Sequence, residues 1–217
     1  MSGRASGIVF EQECPLIEPA ATEDLSKYPH VITDTNITWE KVGKIYVAKY
    51  EPTRDSKITV PHNESITFTN HGFSGLMWVY LTALNDNDRF MIKGAFEVRG
   101  WAWFYYGTYM IIETYQAAAR QTSRTDANIV TLNEWQLIGF TRNGASARLY
   151  RNGVDVTTTV GVHINPVYAT DDLIIGNVDI TNRGLTGYES RARIIRYPLD
   201  ASDIKGIFDS ERTLFGI

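Results

Sequence analysis

The chain has 217 residues, a formal net charge of −4, 43% hydrophobic residues and 12% aromatic residues. This length and apolar content suffice for one all-β domain with a sizeable core, and the negative charge argues against nucleic acid as the main partner. The sequence has no apolar run near the ~20 residues of a membrane helix and no N-terminal secretory signal, and its single cysteine, Cys14, rules out an internal disulfide framework. We therefore expect a soluble protein without a membrane span, cytoplasmic unless it belongs to a particle.

The N-terminal segment, residues 1–38, is predicted to be an extended arm in front of a domain at residues 39–217. Its first 30 residues contain five acidic and two basic side chains, a charge of −3, and prolines interrupt it at three positions. A segment of this composition has little apolar surface to bury by itself. It could lie along its own domain, or it could bind identical subunits or other proteins of a particle, and we favour the second interpretation.

Strands are predicted from Trp39 onward. The sequence VGKIYVAKY at 42–50 alternates in a strand pattern, and KITV at 57–60 reads as a short strand that ends at Pro61. The sequence GLMWVYL at 75–81 is apolar on both faces. A strand that is apolar on both faces is covered on both sides, so this one is expected at the centre of a sheet.

The loop formed by Asn85, Asp86, Asn87 and Asp88 has the composition of a cation site. Because Ca²⁺ takes oxygen ligands from Asp and Asn side chains, this loop is the candidate calcium site. The loop lacks the spaced acidic pattern of a dedicated calcium loop, and Asn and Asp are ordinary turn residues. An ordinary turn is the favoured interpretation, and no other cofactor is predicted.

An aromatic strand is predicted at the start of the sequence WAWFYYGTYMIIETY, residues 101–115. Trp101, Trp103 and Tyr105 share one of its faces, and a turn at Gly107 leads into a second strand. Aromatic rings with a polar tip suit sugar stacking or a protein interface, so these three residues are the candidate ligand-binding face. The alternative is that the rings fill the interior of the domain.

The segment 117–128, AAARQTSRTDAN, is polar and is predicted to be a loop. Arg120 and Arg124 within it could bind anions, although a solvated loop explains these two residues more simply.

The segment 135–156, WQLIGFTRNGASARLYRNGVDV, predicts an antiparallel meander. Its two Asn-Gly pairs supply the residues that adopt positive φ in tight hairpin turns. Near the C-terminus, the sequence DASDIKGIFDSER predicts a short helix that Asp200 or Ser202 caps.

This meander resembles that of the laminin-G-like domains in the concanavalin A-like jelly-roll superfamily. The sequences FSGLMWVY at 73–80, DLIIGN at 172–177 and GYESRARIIRY at 187–197 resemble the family in the same order. The resemblance implies an all-β, two-sheet antiparallel jelly-roll sandwich with the extended arm and the short C-terminal helix. It also implies glycan binding and a cation on the rim, although Ser190 and Arg191 replace acidic residues common in relatives and weaken a cation site.

The sequence contains no recognisable catalytic pattern. The E-x-D-x-E triplet of the laminarinase-type relatives is absent, the four histidines are scattered, and there is no glycine-rich phosphate loop. We therefore predict that the protein is not an enzyme.

The sequence thus favours a non-enzymatic structural or assembly module. The main hypothesis is a decoration or tail subunit on the surface of a virus or phage particle, which binds identical subunits or other particle proteins through residues 1–38 and also recognises a host surface. The alternative is a lectin-like module that binds surface glycans. A glycoside hydrolase with an unrecognised carboxylate pair is the third hypothesis, and no nucleic acid partner is predicted.

Overall fold

The computed structural model describes residues 7–12, 15, 19, 21–28, 30–51, 55–177 and 183–217, so Cys14 and part of the predicted arm lie outside the described residues. The strands up to residue 106 are β1 (Ile8–Glu11), β2 (Thr33–Thr35), β3 (Thr38–Val42), β4 (Ile45–Tyr50), β5 (Lys57–Val60), β6 (Phe73–Ala83), β7 (Arg89–Ala95) and β8 (Arg99–Tyr106). The later elements are β9 (Tyr109–Gln116), β10 (Ala119–Thr125), β11 (Trp135–Asn143), β12 (Ser146–Arg151), β13 (Val154–Asp155), β14 (Thr157–Thr159), β15 (Leu173–Gly176), β16 (Thr186–Ile195) and the helix α1 (Ala201–Glu211).

The described strands form two antiparallel sheets of eight strands each. Sheet 1 has the order β13-β12-β11-β6-β16-β4-β3, with β1 also paired to β16. Sheet 2 has the order β14-β10-β9-β8-β7-β15-β5-β2. The predicted two-sheet antiparallel jelly-roll sandwich is therefore confirmed.

The main core lies between the two sheets, and a second core lies on the outer face of sheet 1. Strand β6 contributes to both, because Met77 and Val79 pack between the sheets while Leu76 and Trp78 pack in the outer cluster. β6 lies between β11 and β16. The strand that is apolar on both faces is thus central in its sheet, as its sequence predicted.

Helix α1 covers part of the outer face of sheet 1. The side chain of Asp200 accepts a hydrogen bond from the backbone N–H of Asp203 at 2.8 Å, and the side chain of Asp203 accepts one from the backbone N–H of Asp200 at 3.1 Å. This reciprocal capping box stabilises the first turn of the helix. The rings of Phe208 and Phe215 stack on Trp78 at centroid distances of 5.6 Å and 4.3 Å. No described helix is long and apolar enough to cross a membrane.

The predicted arm contributes two strands to the sandwich. β1 pairs with β16 in sheet 1, and β2 pairs with β5 in sheet 2. Val9 and Phe10 are fully buried in the main core. A short strand needs few apolar residues of its own when its backbone pairs with a neighbouring strand, so composition alone does not reveal it. The described strands of residues 1–38 therefore pair within the sandwich, and the division into an arm and a domain stays a prediction.

The segment 117–128, predicted to be a loop, contains strand β10. Its backbone pairs with β9, and its end also pairs with β14. Ser123 and Thr125 point inward and are buried. The ring of buried His163 lies between Thr114 Oγ1 and Ser123 Oγ, each at 2.9 Å from a ring nitrogen. The inward polar side chains thus have polar partners, and pairing on both edges overrides the low strand propensity of this sequence.

A buried ion-pair cluster connects β1, β16 and α1. Arg193 is 3% exposed, and its Nε donates to Glu11 Oε1 at 3.1 Å. Its other two guanidinium nitrogens donate to the Glu211 carboxylate at 3.1 Å and 2.6 Å. The indole Nε1 of Trp78 donates to the same carboxylate at 2.8 Å. Burial alone would lower the pKa of Arg193, but Glu211 and Glu11 raise it, so the cation is retained.

Strand β16 also buries a carboxyl group. Glu189 is fully buried, accepts a hydrogen bond from Tyr50 OH at 3.3 Å and accepts one from Ala192 N at 3.1 Å. Burial raises the pKa of Glu189 to about 8, which exceeds its usual value of 4.5, although these hydrogen bonds favour the ionised form. The folded protein therefore keeps this proton over a pH range in which the unfolded chain releases it.

We expect the substitution Arg193→Met to lower the free energy of unfolding by about 3 kcal/mol, because it removes the buried cation between Glu11 and Glu211 and leaves them only the less buried Arg191 as a partner. Urea denaturation measures this change. The matched control is Lys205→Met, which breaks the exposed Lys205–Asp209 pair and should cost at most about 0.5 kcal/mol. Equal losses in the two variants would contradict the structural role of Arg193.

We expect Glu189→Gln to stabilise the protein relative to the wild type increasingly as pH rises from about 5 to about 8. In this range the folded wild type binds more protons than the unfolded chain, so its stability falls with pH, whereas glutamine stays neutral throughout. Urea denaturation at both pH values tests this, with the exposed Glu23→Gln as the control. A stability difference between variant and wild type that does not change with pH would refute the expectation.

Candidate functional site

A groove of about 370 Å³ lies on the outer face of sheet 2. Strands β8, β9 and β10 form its floor, and the hairpin between β7 and β8 forms one wall. Its lining residues are Asn87, Phe96, Phe104, Tyr106, Ile111, Glu113, Arg120, Thr122 and Arg124. The groove therefore combines aromatic rings with hydrogen-bonding groups on a rigid sheet.

Strand alternation explains which side chains reach the groove. In β8, Phe104 and Tyr106 point outward, and in β10 the alternate residues Arg120, Thr122 and Arg124 do the same. Successive side chains of a strand lie on opposite faces of the sheet. Strands β8 and β10, which lie on either side of β9, thus present the rings and the cations to the same surface.

Glu113 is a buried carboxylate in the floor of the groove, with only 3% of its surface exposed. Its Oε2 accepts a hydrogen bond from Tyr115 OH at 3.0 Å, and its Oε1 accepts one from Thr122 Oγ1 at 2.9 Å. Burial, with a contribution from Glu113, raises the pKa of Tyr115 far above its usual value. Tyr115 therefore stays protonated and acts as a donor, so both carboxylate oxygens are held in fixed positions.

Two arginines form the polar wall of the groove on β10. The guanidinium of Arg120 lies 5.2 Å from the ring centroid of Phe96, and that of Arg124 lies 4.6 Å from the ring centroid of Tyr109. Cation–π contacts of this kind orient the planar guanidinium while its N–H groups remain available. These side chains are exposed and can donate hydrogen bonds to a ligand.

The rings at the groove edges are accessible to a ligand. Phe96 is 47% exposed and Tyr106 is 49% exposed, whereas Phe104 and Ile111 are buried in the floor. An exposed ring beside polar side chains can contact the apolar face of a ring-shaped ligand while the polar groups bind its edge. The arrangement fits a polar ligand that also has an apolar face.

The three aromatic residues predicted to bind ligand lie on the opposite face of β8. Trp101, Trp103 and Tyr105 are 1%, 0% and 6% exposed and belong to the core between the sheets. The centroids of both tryptophan rings lie 5.3 Å from that of Phe140 in sheet 1. This burial contradicts a sugar-stacking role for these rings, which fill the sandwich as the alternative interpretation predicted.

The predicted calcium loop forms a hydrogen-bonded turn. Asp88 is 1% exposed, its Oδ2 accepts from the backbone N–H of Asn85 at 2.6 Å, and burial raises its pKa to about 7. Asp86 Oδ1 accepts instead from the backbone N–H of Gly107 at 2.6 Å, and Asn87 has a φ of 69°. Nowhere in the described ranges does a group of three or more His, Cys, Asp or Glu residues form a potential metal site. These contacts match the turn interpretation, and the calcium site stays a prediction.

A second, shallower cleft of about 330 Å³ lies on the outer face of sheet 1. It is lined by Val42, Tyr80, Thr82, Trp135 and Tyr188. All five lining side chains are uncharged. The groove on sheet 2 has more directional donors and is therefore the stronger candidate.

Sequence reasoning identified some residues of the groove but placed them differently. Arg120 and Arg124 were predicted in a loop, and Tyr106 and Glu113 were not singled out. The alternation of Arg120, Thr122 and Arg124 at every second position is the signal that could have indicated a strand with a polar face.

The profile described as the concanavalin A-like lectin/glucanases superfamily matches residues 52–205 of the chain. No curated protein matches it. Among solved structures, the binding domain of Paraclostridial Mosquitocidal Protein 1 is 17% identical with a TM-score of 0.77, covering 94% of this chain and 52% of that chain. The botulinum neurotoxin serotype G binding domain is 15% identical with a TM-score of 0.75, covering 94% and 51%.

A third similar structure is domain 4 of AbnA, an extracellular arabinanase from Geobacillus stearothermophilus, in complex with arabinotriose. It is 16% identical with a TM-score of 0.69, and the match covers 85% of this chain and 91% of that chain. At these identities the likeness concerns the fold. The chain spans about half the length of the two toxin domains and most of the arabinanase domain.

We expect Trp103→Ala to lower the free energy of unfolding by about 3–5 kcal/mol, because it removes a fully buried ring from the core. Tyr106→Ala, on the exposed face of the same strand, should change it by less than about 1 kcal/mol. Thermal or urea denaturation of the two variants measures the difference. An unchanged stability of Trp103→Ala would contradict the burial of this ring.

Proposed function

We propose that this chain, which belongs to the concanavalin A-like lectin/glucanase superfamily, is a non-catalytic glycan-binding module. Its ligand site is the groove on the outer face of sheet 2. The observation that carries the proposal is the pair of half-exposed rings, Phe96 and Tyr106, beside the donors of Arg120 and Arg124.

The groove offers the two kinds of contact that a sugar requires. A sugar ring has an apolar face of C–H groups, which can pack on Tyr106 or Phe96, and hydroxyl groups around its edge. Arg120 and Arg124 can donate hydrogen bonds to these hydroxyls, and Asn87 can both donate and accept. A few polar groups placed around an apolar surface fix the orientation of a small ligand.

The structural relatives support a binding role. Domain 4 of the Geobacillus arabinanase, which the chain covers almost completely, was solved with arabinotriose. The paraclostridial and botulinum structures are binding domains, and another of the similar structures concerns the interaction of botulinum neurotoxin type C with two ganglioside molecules. The chain spans about half of each toxin domain but most of the arabinanase domain, so its length is more similar to that of the arabinanase domain.

The geometry of the floor favours binding over hydrolysis. Canonical glycosidase mechanisms use two carboxyl groups that flank the scissile bond. Within the lining residues, all of which lie in the described ranges, Glu113 is the sole carboxylate. Its oxygens already accept hydrogen bonds from Tyr115 and Thr122. The Glu113 carboxylate is therefore suited to hold the donor side chains around it in place.

The assembly role at the surface of a virus or phage particle stays a prediction, as does location there. Its main argument was an arm at residues 1–38 that could reach other subunits. The strands β1 and β2 of this segment instead pair within the same chain. The glycan-binding hypothesis, which was the alternative from sequence, is now the better supported one.

We expect Tyr106→Ala to weaken the binding of glycans by about ten-fold or more, because it removes an accessible ring that packs on the sugar. A glycan array that includes arabinotriose identifies ligands, and calorimetry of the best ligand measures the affinity.

The matched control is Tyr28→Ala, which removes a tyrosine of similar exposure, 43%, that does not line the groove. This variant should bind like the wild type. Loss of affinity in both variants, or in neither, would place the ligand elsewhere, and a wild-type protein that binds no glycan would refute the proposed function.

A further inference from the structure

Three guanidinium groups lie over aromatic rings at the groove. Besides the contacts of Arg120 and Arg124 described above, the guanidinium carbon of Arg89 lies 4.3 Å from the ring centroid of Phe104 in the groove floor. Arg89 is 7% exposed and lies beside the floor without occupying the groove. The chain as a whole carries a net charge of −4, which makes this local concentration of cations notable.

Among the described residues, the carboxylates beside the groove pair with Arg120. Arg120 Nε lies 3.5 Å from Glu97 Oε1 and 3.8 Å from Glu113 Oε1, so these two carboxylates are already associated with a cation. Arg124 differs, because throughout the described ranges no carboxylate forms an ion pair with it. Its Nε donates a hydrogen bond to Thr159 Oγ1 at 3.4 Å. An exposed guanidinium without a counterion therefore lines the groove at β10.

We propose that the groove prefers glycans that carry an anionic group, a carboxylate or a sulfate, and that Arg124 binds this group. The inference rests on the proposed function and specifies the ligand class of the same site. Arginine presents a planar set of donors that matches the geometry of carboxylate and sulfate oxygens. The contact with the Tyr109 ring holds this donor set in place before the ligand arrives.

The distribution of charge also orients the ligand. Across the sheet from β10, at the start of β7, Asn87 lies between Asp86 and Asp88, and Asp86 is exposed. An anionic group is repelled from Asp86 on this side and attracted to Arg124 on β10. The uncharged part of the glycan then lies along Tyr106 and Phe96, where the rings are accessible.

Cations interleaved with aromatic rings also occur in proteins that bind single-stranded nucleic acid. The observations favour a glycan, because an extended polyanion would also face the negative charge of the rest of the chain and a groove of about 370 Å³ accommodates only a short ligand. An oligothymidylate therefore belongs in the binding assay as a competing ligand class.

The test compares each charged glycan with an uncharged counterpart. The probes are trigalacturonic acid and its fully methyl-esterified form, and a sulfated galactan trisaccharide and its desulfated form. We expect the wild type to bind at least one charged form about ten-fold to a hundred-fold more tightly than its neutral partner, as a charge-assisted hydrogen bond would give. This preference should shrink as the NaCl concentration rises. The two pairs distinguish a carboxylate ligand from a sulfate ligand.

The variants are Arg124→Gln and, as the matched control, Arg148→Gln. Arg148 lies on β12 of the opposite sheet, where it forms an ion pair with Asp155, and its removal changes the net charge by the same amount. We expect Arg124→Gln to weaken the binding of the charged forms by about ten-fold or more beyond any loss for the neutral forms, so that the preference disappears. Arg148→Gln should keep the preference.

Neutral forms that bind as tightly as the charged forms would overturn this inference and leave the proposed function standing. Binding of none of the four glycans would overturn the inference, and an array without any ligand would also overturn the proposed function. Oligothymidylate that binds more tightly than all four glycans, with the same dependence on Arg124, would overturn the inference in favour of nucleic acid.

Discussion

The buried guanidinium of Arg193 is the constraint on which the arrangement of β1, β16 and α1 depends. It donates to Glu11 on β1 and to Glu211 at the end of α1, and Glu211 also accepts from the indole of Trp78. Removing a charged group from water costs several kcal/mol, and the loss is recovered only when its donors and acceptors are paired. The cluster therefore favours one position of the helix and the first strand over alternatives that would leave a charge unpaired.

The position of helix α1 makes the two outer faces of the sandwich differ in role. Helix α1 and the residues that follow it cover Trp78, so much of the outer face of sheet 1 contributes to stability. The meander β7–β10 of sheet 2 keeps an outer face on which the groove lies. Because β8 packs its inward rings against Phe140, the groove is built on a well-packed sheet, and its side chains can be held in place before a ligand binds.

Much of the fold could be predicted from the sequence, because the signals were local. The Asn-Gly turns of the meander, the central strand β6 and the capped helix α1 all depend on neighbouring residues, and the structure has each of them. Strands β1 and β2 were not predicted, because their partners β16 and β5 lie far away in the chain and short segments of this composition give no clear pattern. Strand β10 was not predicted because its side chains are mostly polar, although it forms a hairpin with β9 and its arginines alternate.

The candidate site was missed for a related reason. The pattern of β8 correctly showed that Trp101, Trp103 and Tyr105 share one face, but the other face is nearly as aromatic, so periodicity alone could not decide which face points outward. Packing against sheet 1 determines which face of β8 points inward, because the core between the sheets needs large rings opposite Phe140. Burial of the larger rings removes more apolar surface from water, which leaves Tyr106, with its polar hydroxyl, on the exposed face beside the arginines of β10. The position of the groove thus follows from which rings fill the core. Its polar side chains come largely from β10, which was predicted from the sequence to be a loop.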